Sequence, residues 1–90
     1  MSSIRRQQIG EEAEAMSFQF HRLAAKKLDE KVRPYFKGRI DGWLAMRIGR
    51  VWREFMEENP EYDPNIYESE FAIVLDDMMK YWRLKYRYFG

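Results

Sequence analysis

The chain has 90 residues, of which 46% are apolar and 34% are charged, and its formal net charge is +1. This length predicts one small domain covering residues 1–90. Cysteine is absent and histidine occurs once, which excludes a disulfide framework, a thiolate metal site and a cysteine nucleophile. We therefore expect a protein that is not an enzyme and that holds neither a metal ion nor a cofactor.

The small net charge conceals three blocks of opposite sign. Residues 1–53 carry 12 basic and 6 acidic side chains, residues 54–77 carry 9 acidic and no basic ones, and residues 78–90 carry 4 basic and no acidic ones. Such blocks predict either pairing within a helical bundle or separate surfaces for partners. The longest charge-free run, from Ala15 to His21, is too short to span a membrane. With no export signal, the sequence predicts a cytoplasmic protein.

The first predicted helix covers residues 3–33. Its apolar residues recur every three or four positions, which places them on one helix face. They are Ile9, Ala13, Met16, Phe20, Leu23, Ala24 and Leu28. Pro34 disfavours helical geometry at the residue before it, so we expect the helix to end at Arg33. The connection that follows contains Tyr35, Phe36 and Ile40, and their apolar character predicts that it packs against the bundle.

The second predicted helix covers residues 41–58, with Asp41 as the N-cap and Asn59-Pro60 as the stop signal. Its inward stripe consists of Leu44, Ile48, Val51, Trp52 and Phe55. Gly49 lies inside the helix, and we interpret it as a point where a neighbouring helix approaches closely.

The third predicted helix covers residues 65–88. Two N-caps fit its start: Asp63 with Pro64 at the first helical position, or Asn65 with Glu68 three residues later. Its inward stripe consists of Tyr67, Phe71, Val74, Leu75, Met78 and Trp82. Three amphipathic helices with short connections predict an all-α, antiparallel three-helix bundle, with a long third helix whose C-terminal end projects.

No catalytic or metal-binding constellation is evident in the sequence. His21 lies one helical turn from Ser17, but no strained turn or oxyanion hole accompanies them. The Glu-x-x-His motif of di-metal bundles is absent, because Phe18 stands three residues before His21. No glycine-rich phosphate loop occurs either.

One face of the second helix combines an exposed aromatic side chain with positive charge. Its candidate partner-binding residues are Trp43, Met46, Arg47, Arg50 and Arg53. A tryptophan beside arginines suits docking into a protein partner or stacking on a base. The alternative is structural: Trp43 packs under the first helix, and the arginines pair with Glu54 and Glu57.

The C-terminal segment, residues 80–90, interleaves basic and aromatic residues with no acidic one. Tyr86, Tyr88 and Phe89 are further candidates for partner binding. In the alternative interpretation, Trp82, Tyr86 and Phe89 complete the core and the cations complement the negative end of the helix.

A second apolar stripe follows the third helix, about 120–140° from its core face at 100° per residue. It consists of Ile66, Ile73 and Leu84. Either the first helix covers this stripe, or it is a self-association surface that forms a homodimer.

Two functional hypotheses follow. The first is a small non-enzymatic protein-interaction module, such as an adaptor, assembly factor or inhibitor, with a protein partner. The second is nucleic-acid binding, in which Arg47, Arg50 and Arg53 contact phosphates together with the basic C-terminal segment. The acidic block and the sequence pI of about 8.0 favour the first hypothesis, because nucleic-acid-binding domains are usually more basic.

Overall fold

The computed structural model describes the backbone of residues 2–89 and the side chains of residues 14–85. Over that range it has three α-helices and no strand: α1 is Ser2–Lys31, α2 is Gly42–Glu58, and α3 is Pro64–Phe89. A short 3-10 helix, Arg33–Tyr35, lies between α1 and α2. The predicted all-α fold with three helices is confirmed.

Helices α1 and α2 run in opposite directions. Lys27 Nζ of α1 lies 2.8 Å from Glu58 Oε1 near the end of α2. One turn later in α1, the carbonyl oxygen of Lys31 accepts a hydrogen bond from Arg47, in the first half of α2. From the first contact to the second, the residue number rises in α1 and falls in α2. This is the order expected for an antiparallel pair joined by a short connection.

Helix α3 returns alongside α1 in the same direction. His21 contacts Glu70 near the start of α3, and Asp29 contacts Trp82 further along both helices. With 26 residues against 17 for α2, α3 is about 14 Å longer, at 1.5 Å per residue. The bundle is thus up-down-up, with the long third helix that the sequence predicted.

Helix α1 ends at Lys31, two residues earlier than predicted. The amide of Val32 still donates to the carbonyl of Leu28, but the next bonds are tighter, from Tyr35 to the carbonyl of Val32. Pro34 causes this change, because it disfavours α geometry at the preceding residue and has no N–H to donate. The chain therefore leaves α1 through a 3-10 turn that includes Arg33.

Side-chain caps define the starts of α2 and α3. Asp41 Oδ1 accepts a 2.8 Å hydrogen bond from the amide of Leu44, as predicted. Asp63 Oδ1 accepts one of 2.9 Å from the amide of Asn65, with Pro64 at the first helical position. Of the two N-caps predicted for α3, Asp63 is the one present in the structure. Pro64 suits the first helical position, because it has no amide hydrogen that would be left without a partner.

The core is centred on Phe20, which is completely buried. Its ring centroid lies 5.3 Å from those of Phe55 and Tyr62 and 4.7 Å from that of Tyr67. Aromatic pairs in such edge-to-face and tilted arrangements contribute about 0.5–1.5 kcal/mol beyond the area they bury. Rings from all three helices and from the connection between α2 and α3 therefore meet at one point.

The core differs from the predicted stripe on α1. Met16 and Leu23 were predicted to face inward, yet they are 38% and 40% exposed. The buried residues step by four, through Phe20, Ala24, Leu28 and Val32. A row of four-residue steps is inclined to the helix axis, so Leu23, which is three residues after Phe20, falls on its flank. Met16 lies on this row, four residues before Phe20, and is only partly covered.

The connections and Gly49 bring further corrections. Phe36 packs into the core as predicted, but Tyr35 and Ile40 are exposed. Tyr62, assigned to a short connection, is buried. The predicted close approach at Gly49 is wrong, because a Cβ built there meets no atom within 4 Å. Gly49 lies on the exposed side of α2.

Candidate functional site

The outer side of α2, where it meets the connection from α1, carries a cluster of aromatic and cationic side chains. The rings of Tyr35 and Trp43 meet edge to face, with centroids 5.3 Å apart. The Arg47 guanidinium lies 4.2 Å from the Tyr35 centroid and 5.8 Å from the Trp43 centroid. With Met46 and Arg50, these residues form what we call the Trp43 patch.

Arg47 is fixed by the backbone beneath it. Its Nε donates a 2.7 Å hydrogen bond to the carbonyl oxygen of Lys31, the last residue of α1. The final carbonyls of a helix have no partner within the helix, and the negative end of its dipole favours a cation. Arg47 therefore caps the C-terminal end of α1, and its guanidinium also contacts both rings.

The remaining members of the Trp43 patch are open to solvent. Trp43 is 56% exposed and Met46 is 68% exposed, beside a depression of about 80 Å³ lined by Trp43, Met46, Arg47 and Arg50. Trp43 thus packs on Tyr35 and not under α1. Tyr35 is the member that the sequence reasoning missed, since it was assigned to packing against the bundle.

Arg50 and Arg53 extend the positive charge along α2. Both are exposed, and neither forms an ion pair with a carboxylate among residues 14–85. Glu54, one of their predicted partners, lies 3.5 Å from Lys27 instead. Within the part of the chain whose side chains are described, the two guanidinium groups therefore have no carboxylate partner.

Lys27 joins α1 to α2 beneath a groove of about 360 Å³. Its ammonium group lies close to both Glu54 and Glu58. Burial opposes the charged form, but the hydrogen bond to Glu58 and the attraction of the two carboxylates outweigh it and raise the pKa of Lys27 above its usual value. The ammonium group of Lys27 is therefore already paired with carboxylates of α2.

The described part of the C-terminal segment makes contacts within the chain. Trp82 is buried, its Nε1 donates to Asp29 Oδ1 at 3.3 Å, and its ring packs on Phe36. Arg83 Nε donates to the carbonyl of Gly38 at 3.2 Å. Trp82 thus completes the core. The predicted partner-binding side chains of Tyr86, Tyr88 and Phe89 lie outside the described residues.

The second apolar stripe of α3 is not covered by α1. Ile66, Ile73 and Leu84 are 64%, 51% and 56% exposed. Their exposure rules out the alternative in which α1 packs over them. We call the side of α3 that carries this stripe the α3 outer face.

Within the described part of the chain, the ionisable side chains include no cluster suited to binding a metal ion. His21 Nε2 is hydrogen-bonded to Glu70 Oε2, which links α1 to α3. Among the described residues, no three histidine, aspartate or glutamate side chains converge on a point where a metal ion could bind. His21 therefore acts as a link between helices.

Comparisons with other proteins identify no relative: no protein-family model matches the chain, and neither curated proteins nor solved structures match it significantly. Over the described residues, no helix is long and apolar enough to cross a membrane. Inferences about function therefore depend on the surface itself.

Proposed function

We propose that this chain is a small non-enzymatic protein-interaction module that docks a partner protein through the Trp43 patch. The observation that carries the proposal is the Trp43 ring, which is more than half exposed yet packed against Tyr35 and supported by Arg47. The cytoplasmic location predicted from the sequence is part of the same proposal.

The Trp43 patch has the composition and rigidity of a binding hot spot. Trp, Tyr and Arg dominate such sites, because large side chains bury much area when a partner excludes water from them. Ordering one mobile side chain on binding costs about 0.5–1.5 kcal/mol. The contacts of Tyr35 and Arg47 with Trp43 reduce this cost, because they order the ring before the partner arrives.

The charge beside the rings favours an acidic protein surface as the partner. Arg50 and Arg53 are exposed and have no described carboxylate within ion-pair distance. Charges at the rim of an interface mainly set orientation and association rate, whereas buried anchors provide affinity. We therefore assign Trp43 and Met46 to the anchor and Arg50 and Arg53 to orientation.

Nucleic-acid binding is the alternative that the same side chains support. Trp43 could stack on a base while Arg50 and Arg53 contact phosphates. Two observations weigh against it. Arg47 already bonds to the end of α1, which leaves Arg50 and Arg53 for phosphates, and the sequence pI of about 8.0 is below that of most nucleic-acid-binding domains.

The test is capture of protein partners by the immobilised chain after chemical cross-linking in the source extract. We expect Trp43→Ala to lose a specific set of captured proteins. The matched control is Tyr81→Ala, which also removes a half-exposed ring but lies on α3 outside the Trp43 patch. Both variants must keep the wild-type helical circular dichroism and melting cooperativity.

Two results would decide against the proposal. If Trp43→Ala captures the same proteins as the wild type, the Trp43 patch is not the docking surface. If a single-stranded oligonucleotide binds with an affinity that falls steeply with salt and is lost in Arg50→Ala, the nucleic-acid alternative is correct.

A further inference from the structure

The α3 outer face has the residue spacing of a helix-pairing seam. Four exposed residues of this face follow one another at intervals of four, three and four positions: Ile73, Asp77, Lys80 and Leu84. This alternation keeps side chains on one line facing a neighbouring helix. The seam is apolar at both ends and carries opposite charges in its centre.

The charges of α3 divide at the middle of the seam. Residues 64–77 contain Glu68, Glu70, Asp76 and Asp77 and no basic residue, whereas residues 78–85 contain Lys80, Arg83 and Lys85 and no acidic one. A second α3 helix in the opposite direction brings each acidic half against a basic half. A parallel one brings like charges together, which is destabilising.

We infer that the α3 outer face binds a second copy of this chain, with the two α3 helices antiparallel. A twofold axis between residues 78 and 79 places Ile73 opposite Leu84 of the second copy, because the two positions are equally far from the axis. The same axis places Asp77 opposite Lys80 of the second copy. One register therefore satisfies the apolar and the charged positions together, in the isologous arrangement that twofold dimers require.

Asp77 and Lys80 determine the direction of pairing. Polar residues within a helix seam commonly specify register and orientation at some cost in stability. Lys80 lies 3.3 Å from Asp76 within its own helix. On pairing, this exposed side chain exchanges its contact with Asp76 for one with Asp77 of the second copy. We expect a dimer that dissociates on dilution, because the interface is a single helix face.

Sedimentation equilibrium over a wide concentration range tests this inference, with reciprocal charge reversal as the key experiment. Asp77→Lys gives a seam with two lysines, and Lys80→Asp gives a seam with two aspartates. We expect each variant alone to lose at least tenfold in dimer affinity. An equimolar mixture of the two should recover dimerisation, because each lysine then faces an aspartate.

The apolar positions provide a second, independent measurement. Ile73→Glu should abolish the dimer, whereas the matched control Met46→Glu, on the exposed side of α2, should leave it intact. A wild-type chain that stays monomeric at all concentrations would overturn the inference. So would variants that dimerise like the wild type, or a mixture no better than its components. A dimer lost in Met46→Glu but kept in Ile73→Glu would instead assign self-association to the Trp43 patch.

Discussion

Arg47 bonds to the last residue of α1: its Nε donates a 2.7 Å hydrogen bond to the carbonyl oxygen of Lys31. The same guanidinium covers the ring of Tyr35 at 4.2 Å. One side chain of α2 therefore holds both the end of α1 and the connection that follows it. The Trp43 patch depends on this link for its shape.

Replacing Arg47 should reduce the stability of the fold, unlike replacing its neighbours. Arg47→Ala removes a charged hydrogen bond to a helix end and a cation–π contact, and we expect a loss of about 1–2 kcal/mol in the free energy of unfolding. Arg50→Ala and Arg53→Ala should stay within about 0.5 kcal/mol of the wild type. Urea denaturation followed by circular dichroism measures all three. Equal effects at the three positions would contradict a structural role specific to Arg47.

Replacement by alanine should have opposite effects on the stability of the fold at two glycines. Gly49→Ala should stabilise the chain by about 0.5–1 kcal/mol, because alanine favours the helix and the site has no neighbour within 4 Å. Gly38→Ala should destabilise it by about 1–2 kcal/mol, because Gly38 has a φ of 94°, a region that side chains with a Cβ adopt at a cost.

Thermal denaturation of the two glycine variants is the measurement, with the wild type run alongside. For a domain of this size, 1 kcal/mol corresponds to a shift of about 4–8 °C in melting temperature. A lower melting temperature for Gly49→Ala would mean that this side of α2 is covered by something outside the described residues.

The N-cap of α2 provides a third test. Asp41→Ala removes the acceptor for the amide of Leu44, and such losses typically cost about 1 kcal/mol. Asp41→Asn keeps an acceptor of the same shape and should retain most of the stability. Comparing both variants in chemical denaturation separates the cap hydrogen bond from the negative charge. A loss of the same size in Asp41→Asn would show that the charge, acting on the helix dipole, is what stabilises this end.

The sequence predicted the elements of the fold better than it predicted the residues that join them. Asp41 and Pro34 act through local rules of capping and backbone geometry, which adjacent residues already reveal. Tyr62 and Val32 escaped prediction because their burial depends on where other helices lie. The ring of Phe20 packs against that of Tyr62, a contact between residues far apart in sequence.

The candidate site shows the same division between local and distant information. Trp43, Met46 and Arg50 were identified because residues three or four apart share a helix face. Tyr35 was missed, since its contact with Trp43 spans the turn between α1 and α2. The role of Arg47 was also hidden, because the carbonyl that it binds belongs to another helix. Local periodicity locates an exposed face but does not reveal which side chains support it.

Alkaline pH should weaken the fold through Tyr62 and Lys27. Burial first, and then the nearby Glu61 and Tyr67, raise the pKa of Tyr62, and ion pairing with Glu58 and Glu54 raises that of Lys27 despite its burial. Both groups therefore hold their protons more tightly in the folded chain than in the unfolded one. Their stabilising contribution is complete below about pH 10 and is lost as the pH rises through the folded-state values.

Melting temperatures measured from neutral to alkaline pH check this expectation. The wild type should melt at lower temperature as the pH rises above about 10. Tyr62→Phe and Lys27→Met should each show a shallower decline, because the variant lacks one of the two groups whose deprotonation favours unfolding. Tyr81→Phe, an exposed tyrosine on α3, is the control and should follow the wild-type slope. Only the slopes are compared, since each substitution also changes the melting temperature at neutral pH. A slope that is unchanged in both Tyr62→Phe and Lys27→Met would show that other groups cause the alkaline loss of stability.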